Sequence, residues 1–377
     1  MVTETKSPYG LAGYRHAAAQ IASRHRLDRH WTLLRMLAAR AAYGLSSVEY
    51  AQCGLWAKPF QELGDYRTKK QTTALFDRVN PRSERSAVED KLRFHRTCLA
   101  AELPVPTLHA VLSRRDTTAV ADFPLARDVD SVLALFRGGG DRRLIFKPQN
   151  DALGTGVRFV QLRSGRLSDI AGEPIDRREF EHRLYSDLER DDYLVQEFIE
   201  PSPTVAALGS GKALGTFRIV TYLHRGTVTS LYALSRIPCG SNPHDNFAGG
   251  STGNLIAMVD CATGILGPAY GRRDPRFSRL LERFDSNPDT GRPIAGIRIP
   301  GWLQVRATAE QAASRFPSLP VLGWDIALAA KGPVIIEANS NPDIIGSQAA
   351  SGVGARQLLR PVYVQHPPPA TRPMRPR

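Results

Sequence analysis

Apolar positions along this chain change their period, from helical near the front to alternating through the middle and back half. Between Leu11 and about Ala51, Leu33, Leu34, Leu37 and Ala41 recur at helical spacing in a stretch rich in Ala, Leu and Arg. That pattern predicts helices packed on the rest of the chain. Arg67 to Arg85 is polar and reads as a connection with room for a short helix. Ser86 then stands as an N-cap with Glu89 three residues on, which predicts a capping box and a helix through Ala101.

From Leu103 the pattern is mixed α and β. Leu144–Lys147 is a short β-like run, Val157–Leu162 alternates, and Tyr193–Gln196 reads as a buried strand running into Glu197-Phe198-Ile199. Thr216–Leu223 and Thr227–Ile237 flank His224-Arg225-Gly226, a hairpin signal. The polar loop from Pro238 to Gly253 is long enough to suggest function. Leu322–Ala330 and Val334–Ala338 form a last hairpin across Lys331-Gly332-Pro333. The tail His366–Arg377 holds five prolines and is expected to be disordered. Four units are therefore expected: a helical region at 1–85, a first α/β subdomain with the glycine loop at 86–195, a second with the metal site at 196–352, and a basic Pro-rich disordered tail at 353–377.

Charge refines the picture. The net +13 of the 377 residues sits at the ends. Residues 1–85 carry 14 Lys/Arg against 7 Asp/Glu, and residues 353–377 carry 5 Arg and no acid. The remainder is nearly neutral, so no basic groove for nucleic acid is expected. The basic ends read as a solvated surface, with weak attachment to an acidic partner or membrane surface as the other option. No apolar run approaches the length of a membrane span, and Met1–Gly10 lacks a signal-peptide core. A cytoplasmic protein is expected. Cys53, Cys98, Cys239 and Cys261 are too scattered for a zinc site or a disulfide framework.

Two common nucleotide motifs fail. Gly209-Ser210-Gly211-Lys212 has Ala206 where a P-loop needs glycine and Ala213 where it needs a metal-binding hydroxyl. Gly154-Thr155-Gly156 has Phe159 in the third glycine position of a dinucleotide fingerprint and joins strand to strand. A glycine loop directly after a strand lysine does fit phosphate binding, because its backbone N–H groups are unobstructed and Lys147 adds a point charge. With only 8 lysines against 42 arginines, a strand lysine is not the chain's default cation. An ordinary surface hairpin is the competing reading.

A second set of charged residues lies inside apolar strands, where charge is costly without compensation. A three-residue loop at 331–333 would set Asp325 opposite Asn339, with Glu337 diagonal on the same face. Two carboxylates and an amide oxygen suit Mg²⁺. The alternative is a pair of salt-bridged strand carboxylates, for which no Lys or Arg alternates on that face. His244, in the 238–253 loop, is the best candidate for a general base, and a solvated loop histidine is the preferred reading of it.

In order along the chain stand Asp90-Lys91, Phe146-Lys147-Pro148, Val195-Gln196-Glu197-Phe198-Ile199, Phe217-Arg218-Ile219-Val220-Thr221, Gly323-Trp324-Asp325-Ile326 and Ile336-Glu337-Ala338-Asn339. This set resembles the ATP-grasp superfamily. Asp90–His95, Asp245–Gly250 and Asn287–Gly291 make it most similar to the sugar-transfer-associated ATP-grasp family, related to α-L-glutamate ligases. The resemblance spans roughly residues 45 to 350. It implies an α+β fold in which two α/β subdomains grip ATP beside an N-terminal helical region. It implies that Lys91 and Lys147 contact phosphates and that the 151–156 loop, with Gly154, Thr155 and Gly156, closes over them. Gln196, Glu197 and Ile199 would meet adenine at the hinge, partly through backbone groups. Asp325, Glu337 and Asn339 would hold a pair of Mg²⁺ ions, and Arg218 would steady the transferred phosphoryl group. The implied reaction is carboxylate–amine ligation through an acyl phosphate, on small-molecule or peptide substrates, in glycan, peptide or natural-product biosynthesis. A kinase acting on a hydroxyl and a nucleotide-binding scaffold remain open alternatives. Three departures stand out: Ala152 and Leu153 inside the glycine loop, Gly323 where many relatives carry arginine, and Asp343 after Pro342 in place of glycine.

Overall fold

The computed structural model describes residues 10–367 except 116–121, 138, 151–155, 164–165, 211–212, 241, 243 and 275–278. The fold is α+β, and its strands form two sheets. The first contains β1 (Leu108–Leu112), β2 (Leu125–Ala126), β3 (Arg142–Pro148), β4 (Arg158–Arg163), β5 (Arg166–Ser168) and β6 (Tyr193–Glu197), in the order β2-β1-β6-β3-β4-β5. The second contains β7 (Thr216–His224), β8 (Thr227–Ile237), β9 (Leu255–Val259), β10 (Leu266–Gly271), β11 (Glu282–Phe284), β12 (Val321–Ala329) and β13 (Gly332–Asn339), in the order β11-β10-β9-β8-β7-β12-β13. Only β1–β2 is a parallel pair among the described ladders.

Each sheet buries one face, and strand alternation turns the charged residues to the other. In the first sheet Leu144, Phe146, Val160 and Leu162 pack on Phe180, Leu184 and Leu188 of helix Arg177–Leu188. Arg143, Ile145 and Lys147 therefore share the opposite face. In the second sheet Phe217, Ile219, Trp324 and Ile326 pack with Trp302, Val305 and Ala309 of helix Trp302–Ala313. Arg218 and Asp325 lie on the reverse side. Much of that side is covered by Leu75 and Phe76 of helix Lys69–Val79 and by Ile344, Leu359 and Val362. The last two correct the expectation of a disordered tail from residue 353, because their burial seats short helices Ala355–Leu358 and Arg360–Gln365, while 368–377 lie outside the described residues.

The front of the chain is helical, as its periodicity predicts: Leu11–His25, Arg29–Tyr43 and Ser47–Gln52 share a core built on Tyr14, Ile21, Met36 and Tyr50. That core meets the second sheet's surroundings through Leu280 and Ala349. The stretch read as a connection, Arg67–Arg85, contains helix Lys69–Val79, started by a Thr68–Gln71 capping box and seated by Leu75, Phe76 and Val79. The cap expected at Ser86 is elsewhere. Ser86–Glu89 is a single turn, and Asp90 caps helix Lys91–Ala100 by accepting the N–H groups of Leu92 and Arg93, each at 3.0 Å. Glu89 instead accepts the Ser340 hydroxyl at 2.6 Å. The boundary expected after residue 195 falls inside β6, and Phe94 and Cys98 of helix Lys91–Ala100 pack into the core of the second sheet.

The terminal hairpin differs from its expected register. Ala329 pairs with Gly332, so only Ala330 and Lys331 form the turn, and an even turn of this kind would put Glu337 on the wrong face. The ladder then shifts between Asp325 and Ile326: Ile326 faces Ile335, whereas Asp325 faces Glu337. Ile336 is the extra residue of a β-bulge. The bulge returns Glu337 to Asp325's side, and Asn339 faces Gly323 rather than Asp325.

Candidate functional site

Asp325 is the centre of the charged face. Its side chain is fully buried, and Arg218 on the neighbouring β7 holds it through two parallel bonds, Nε to Oδ1 and Nη2 to Oδ2, both 2.7 Å. Arg236, one strand further on β8, donates Nη2 to Oδ2 at 2.7 Å. It also reaches Asp245 at 3.2 Å and the Thr216 hydroxyl at 2.8 Å. Thr216 in turn donates to Asp245 at 2.5 Å. The expectation that no basic residue shares this face is therefore corrected: the cations come from adjacent strands, not from β12 and β13. Sequence reasoning missed Arg236, although an arginine in the last position but one of a hydrophobic strand was the available signal.

Burial alone would push the Asp325 carboxyl up, but the two guanidinium groups outweigh it and hold it well below the usual carboxylate range. Glu337, directly across the ladder, behaves oppositely. Burial and the adjacent Asp325 carboxylate raise it, and the shared arginines only partly offset this. Asn339 lies within long contact of both carboxylates, with Nδ2 3.5 Å from Asp325 and 3.4 Å from Glu337. Asp325, Glu337 and Asn339 thus meet on one face, two carboxylates and an amide whose Nδ2 is turned towards them, residue types from which Mg²⁺ draws oxygen ligands. Among the described residues no group of three or more His, Cys, Asp or Glu side chains is placed to hold a metal.

The first sheet brings Lys147 to the same place. Lys147 is 8% exposed, and desolvation, assisted by Lys91, lowers its ammonium to about 8 while Glu337 opposes the shift. These three residues come from β3, the start of helix Lys91–Ala100 and β13, so both sheets contribute to one electrostatic cluster. Buried His95 sits beside it, pushed down to about 4 by desolvation and by Lys147. The Lys91 backbone N–H donates to the Gln149 carbonyl at 3.1 Å, tying the helix start to the end of β3.

At the hinge, Gln196 and Ile199 are buried, and Gln196 faces Ile145 across the β3–β6 ladder. The Glu197 carboxylate is already engaged, accepting the Thr107 N–H at 2.7 Å and its hydroxyl at 3.0 Å. Beside this segment a cavity of about 350 Å³ opens against the charged face of the first sheet, lined in part by Arg143, Phe159, Gln161, Phe198 and Gly215. Phe159 meets Phe198 edge-on at 5.0 Å, and Arg143 lies over the Phe198 ring.

Gly154 and Thr155 lie outside the described residues. Gly156 has φ +77°, and a Cβ there would stand 2.8 Å from the Tyr193 hydroxyl. Gly323 leaves room for Pro342, whose Cβ would be 2.8 Å from an added Cβ, which explains why no arginine stands at this position. His244 differs from a simple solvated histidine: its Nδ1 is buried and has no hydrogen-bond partner among the described residues.

A profile of the sugar-transfer associated ATP-grasp family matches residues 70–363. The chain belongs to that family. A curated relative, a probable alpha-L-glutamate ligase of Aeromonas salmonicida (strain A449), is 44% identical over 69 residues. That match covers 18% of this chain and 22% of the relative, so the chain spans only about a fifth of that protein's length. Among solved structures, the D-alanine–D-alanine ligase of Bacillus anthracis is 12% identical with a TM-score of 0.41, covering 81% of this chain and 76% of the other. VanG D-Ala:D-Ser ligase of Enterococcus faecalis is 12% identical with a TM-score of 0.42, covering 76% and 64%. Among the described residues no helix is long and apolar enough to cross a membrane.

Proposed function

We propose that this chain is an ATP-dependent ligase that phosphorylates a carboxylate and lets an amine displace phosphate, leaving ADP. The observation that carries the reading is the pairing of Asp325 with Glu337 on one face, next to Asn339 and within electrostatic reach of Lys147 from the other sheet. In this reading Lys91 and Lys147 hold the ATP phosphates, and Gly154, Thr155 and Gly156 cover them and exclude water from the acyl phosphate. Gln196, Glu197 and Ile199 meet adenine beside the hinge cavity, Glu197 through its backbone because Thr107 occupies its carboxylate. Asp325, Glu337 and Asn339 hold Mg²⁺, which when bound offsets the charge that develops on the transferring phosphoryl group. Arg218 keeps Asp325 ionised and orders this end of the site for an anionic reactant. Small-molecule or peptide carboxylates and amines are the substrates this chemistry takes, and the alpha-L-glutamate ligase relative favours amino-acid-type acceptors.

The test is chemical trapping. With ATP, Mg²⁺ and a panel of carboxylates, added hydroxylamine should convert the correct substrate into a hydroxamate with stoichiometric ADP release. A stable phosphorylated product that hydroxylamine leaves intact would replace the ligase with a kinase.

Lys147→Ala should weaken ATP binding by roughly tenfold or more, read by calorimetric titration. It should not lower the melting temperature. The folded-state value of about 8 lies below the ordinary lysine value of 10.5, so the buried ammonium opposes folding up to about pH 8. That opposition disappears as pH rises from about 8 towards 10.5. Any stability gain in the variant should therefore appear at neutral pH and fade in alkaline buffer. An unchanged ATP affinity would remove Lys147 from the site.

A further inference from the structure

Helix Arg29–Tyr43 is apolar on two sides. One side belongs to the core, where Thr32, Met36 and Ala39 are buried. On the other, Trp31 is 68% and Leu34 59% exposed, preceded by Leu27 at 42% and followed by exposed Ala38, Ala41 and Ala42. These positions follow helical spacing, so they form one stripe where a solvated helix normally carries charge.

The helical layer that carries the stripe is basic. Residues 10–48 contain six arginines and a single acid, Asp28. The Asp28 carboxylate is used to cap the helix, accepting the Trp31 N–H at 2.6 Å. Arg15, Arg26, Arg29 and Arg40 are exposed. Arg35 reaches the Tyr50 hydroxyl and the Leu55 carbonyl, neither of which cancels its charge. Arg24 forms an ion pair with Glu282.

We propose that this helix rests on an anionic lipid surface, with Trp31 and Leu34 entering the headgroup region and the arginines meeting lipid phosphates. An apolar stripe bearing an exposed tryptophan, on a layer rich in arginine, is the composition that interfacial helices share. A second copy of the chain fits less well. Two such layers would bring like charges face to face, and a four-turn stripe of roughly 22 Å by 10 Å is far smaller than the ~800 Å² per partner of a standard interface. The reading does not depend on the ligase chemistry. The helical layer has a core of its own, which reaches the rest of the fold through Leu280 and Ala349.

The experiment is sedimentation of the full chain with phosphatidylcholine vesicles, with and without phosphatidylglycerol, in the absence of nucleotide. The chain should sediment with the anionic vesicles, release as salt shortens the screening length, and show a blue shift of tryptophan emission. Trp302 and Trp324 are already buried, so Trp31 is the tryptophan with most to gain. The double variant Trp31→Ser, Leu34→Ser should lose roughly tenfold or more of this binding while keeping its melting temperature, because both side chains are exposed. Failure of the parent chain to bind anionic vesicles would overturn the proposal, as would equal binding by the double variant. A concentration-dependent dimer that the same substitutions dissolve would assign the stripe to a second copy instead. None of these results bears on ATP turnover, which is measured without lipid.

Discussion

Glu337→Gln should lower ATP turnover by roughly two or more orders of magnitude while leaving the melting temperature unchanged or higher. The two halves of this expectation have separate causes. Glu337 faces Asp325 across the ladder, and burial together with that neighbour raises its carboxyl above the ordinary glutamate value. A carboxyl raised on folding binds protons more readily in the native state, so it subtracts stability as pH rises through and above the ordinary glutamate range. The amide removes this penalty and keeps the shape. It also removes the charge that the proposed metal site requires. A thermal-shift series with Mg²⁺ provides a readout besides activity: the parent should be stabilised by the ion, and the variant much less so. A variant that melts lower yet turns over ATP normally would make Glu337 a structural residue.

Arg218→Gln should fail in both respects. Removing one partner from a buried ion pair costs about 3–5 kcal/mol. Arg236 still donates to Asp325 Oδ2, which places the expected loss near the lower end, about 3 kcal/mol. Turnover should collapse with it, because Asp325 loses the fork that fixes both of its oxygens and is held by Arg236 through Oδ2 alone. Arg218→Lys should recover charge without the fork and return only part of the stability. Denaturant unfolding of the three proteins measures this directly. Parent-like unfolding of Arg218→Gln would show that Arg236 alone suffices to hold Asp325.

Much of this architecture was legible in the sequence, because periodicity and local chemistry carry it. The alternation through Thr216–Ile237 and the helical spacing before Ala51 set the corresponding elements correctly. The ordered motifs named the family before any geometry was known. Three features were less legible, each because a non-local partner decides it. Asp90 displaced Ser86 as a cap because Glu89 is drawn to Ser340, far along the chain. Helix Lys69–Val79 sits in a polar stretch because Leu75, Phe76 and Val79 find apolar partners in the second sheet's layer. The bulge at Ile336 has no signal of its own in Val334-Ile335-Ile336-Glu337, where any of the β-branched residues could have been the extra one. In the candidate site, single strands predicted the carboxylates and Lys147. The arginines that neutralise Asp325 come from strand order, which no local pattern contains.

The Asp325 cluster also acts on assembly of the sheet. Its carboxylate accepts from arginines on two successive strands, so β12, β7 and β8 are stapled sideways at one level. Sliding β12 by a single residue along β7 would turn Asp325 into the layer occupied by Trp302 and Phe217 and strand two guanidinium groups in its place. Misaligned pairings of these strands are therefore penalised twice, once by a charge in oil and once by cations without a counterion. The residues read as the chemical centre thus double as a proofreader of strand alignment.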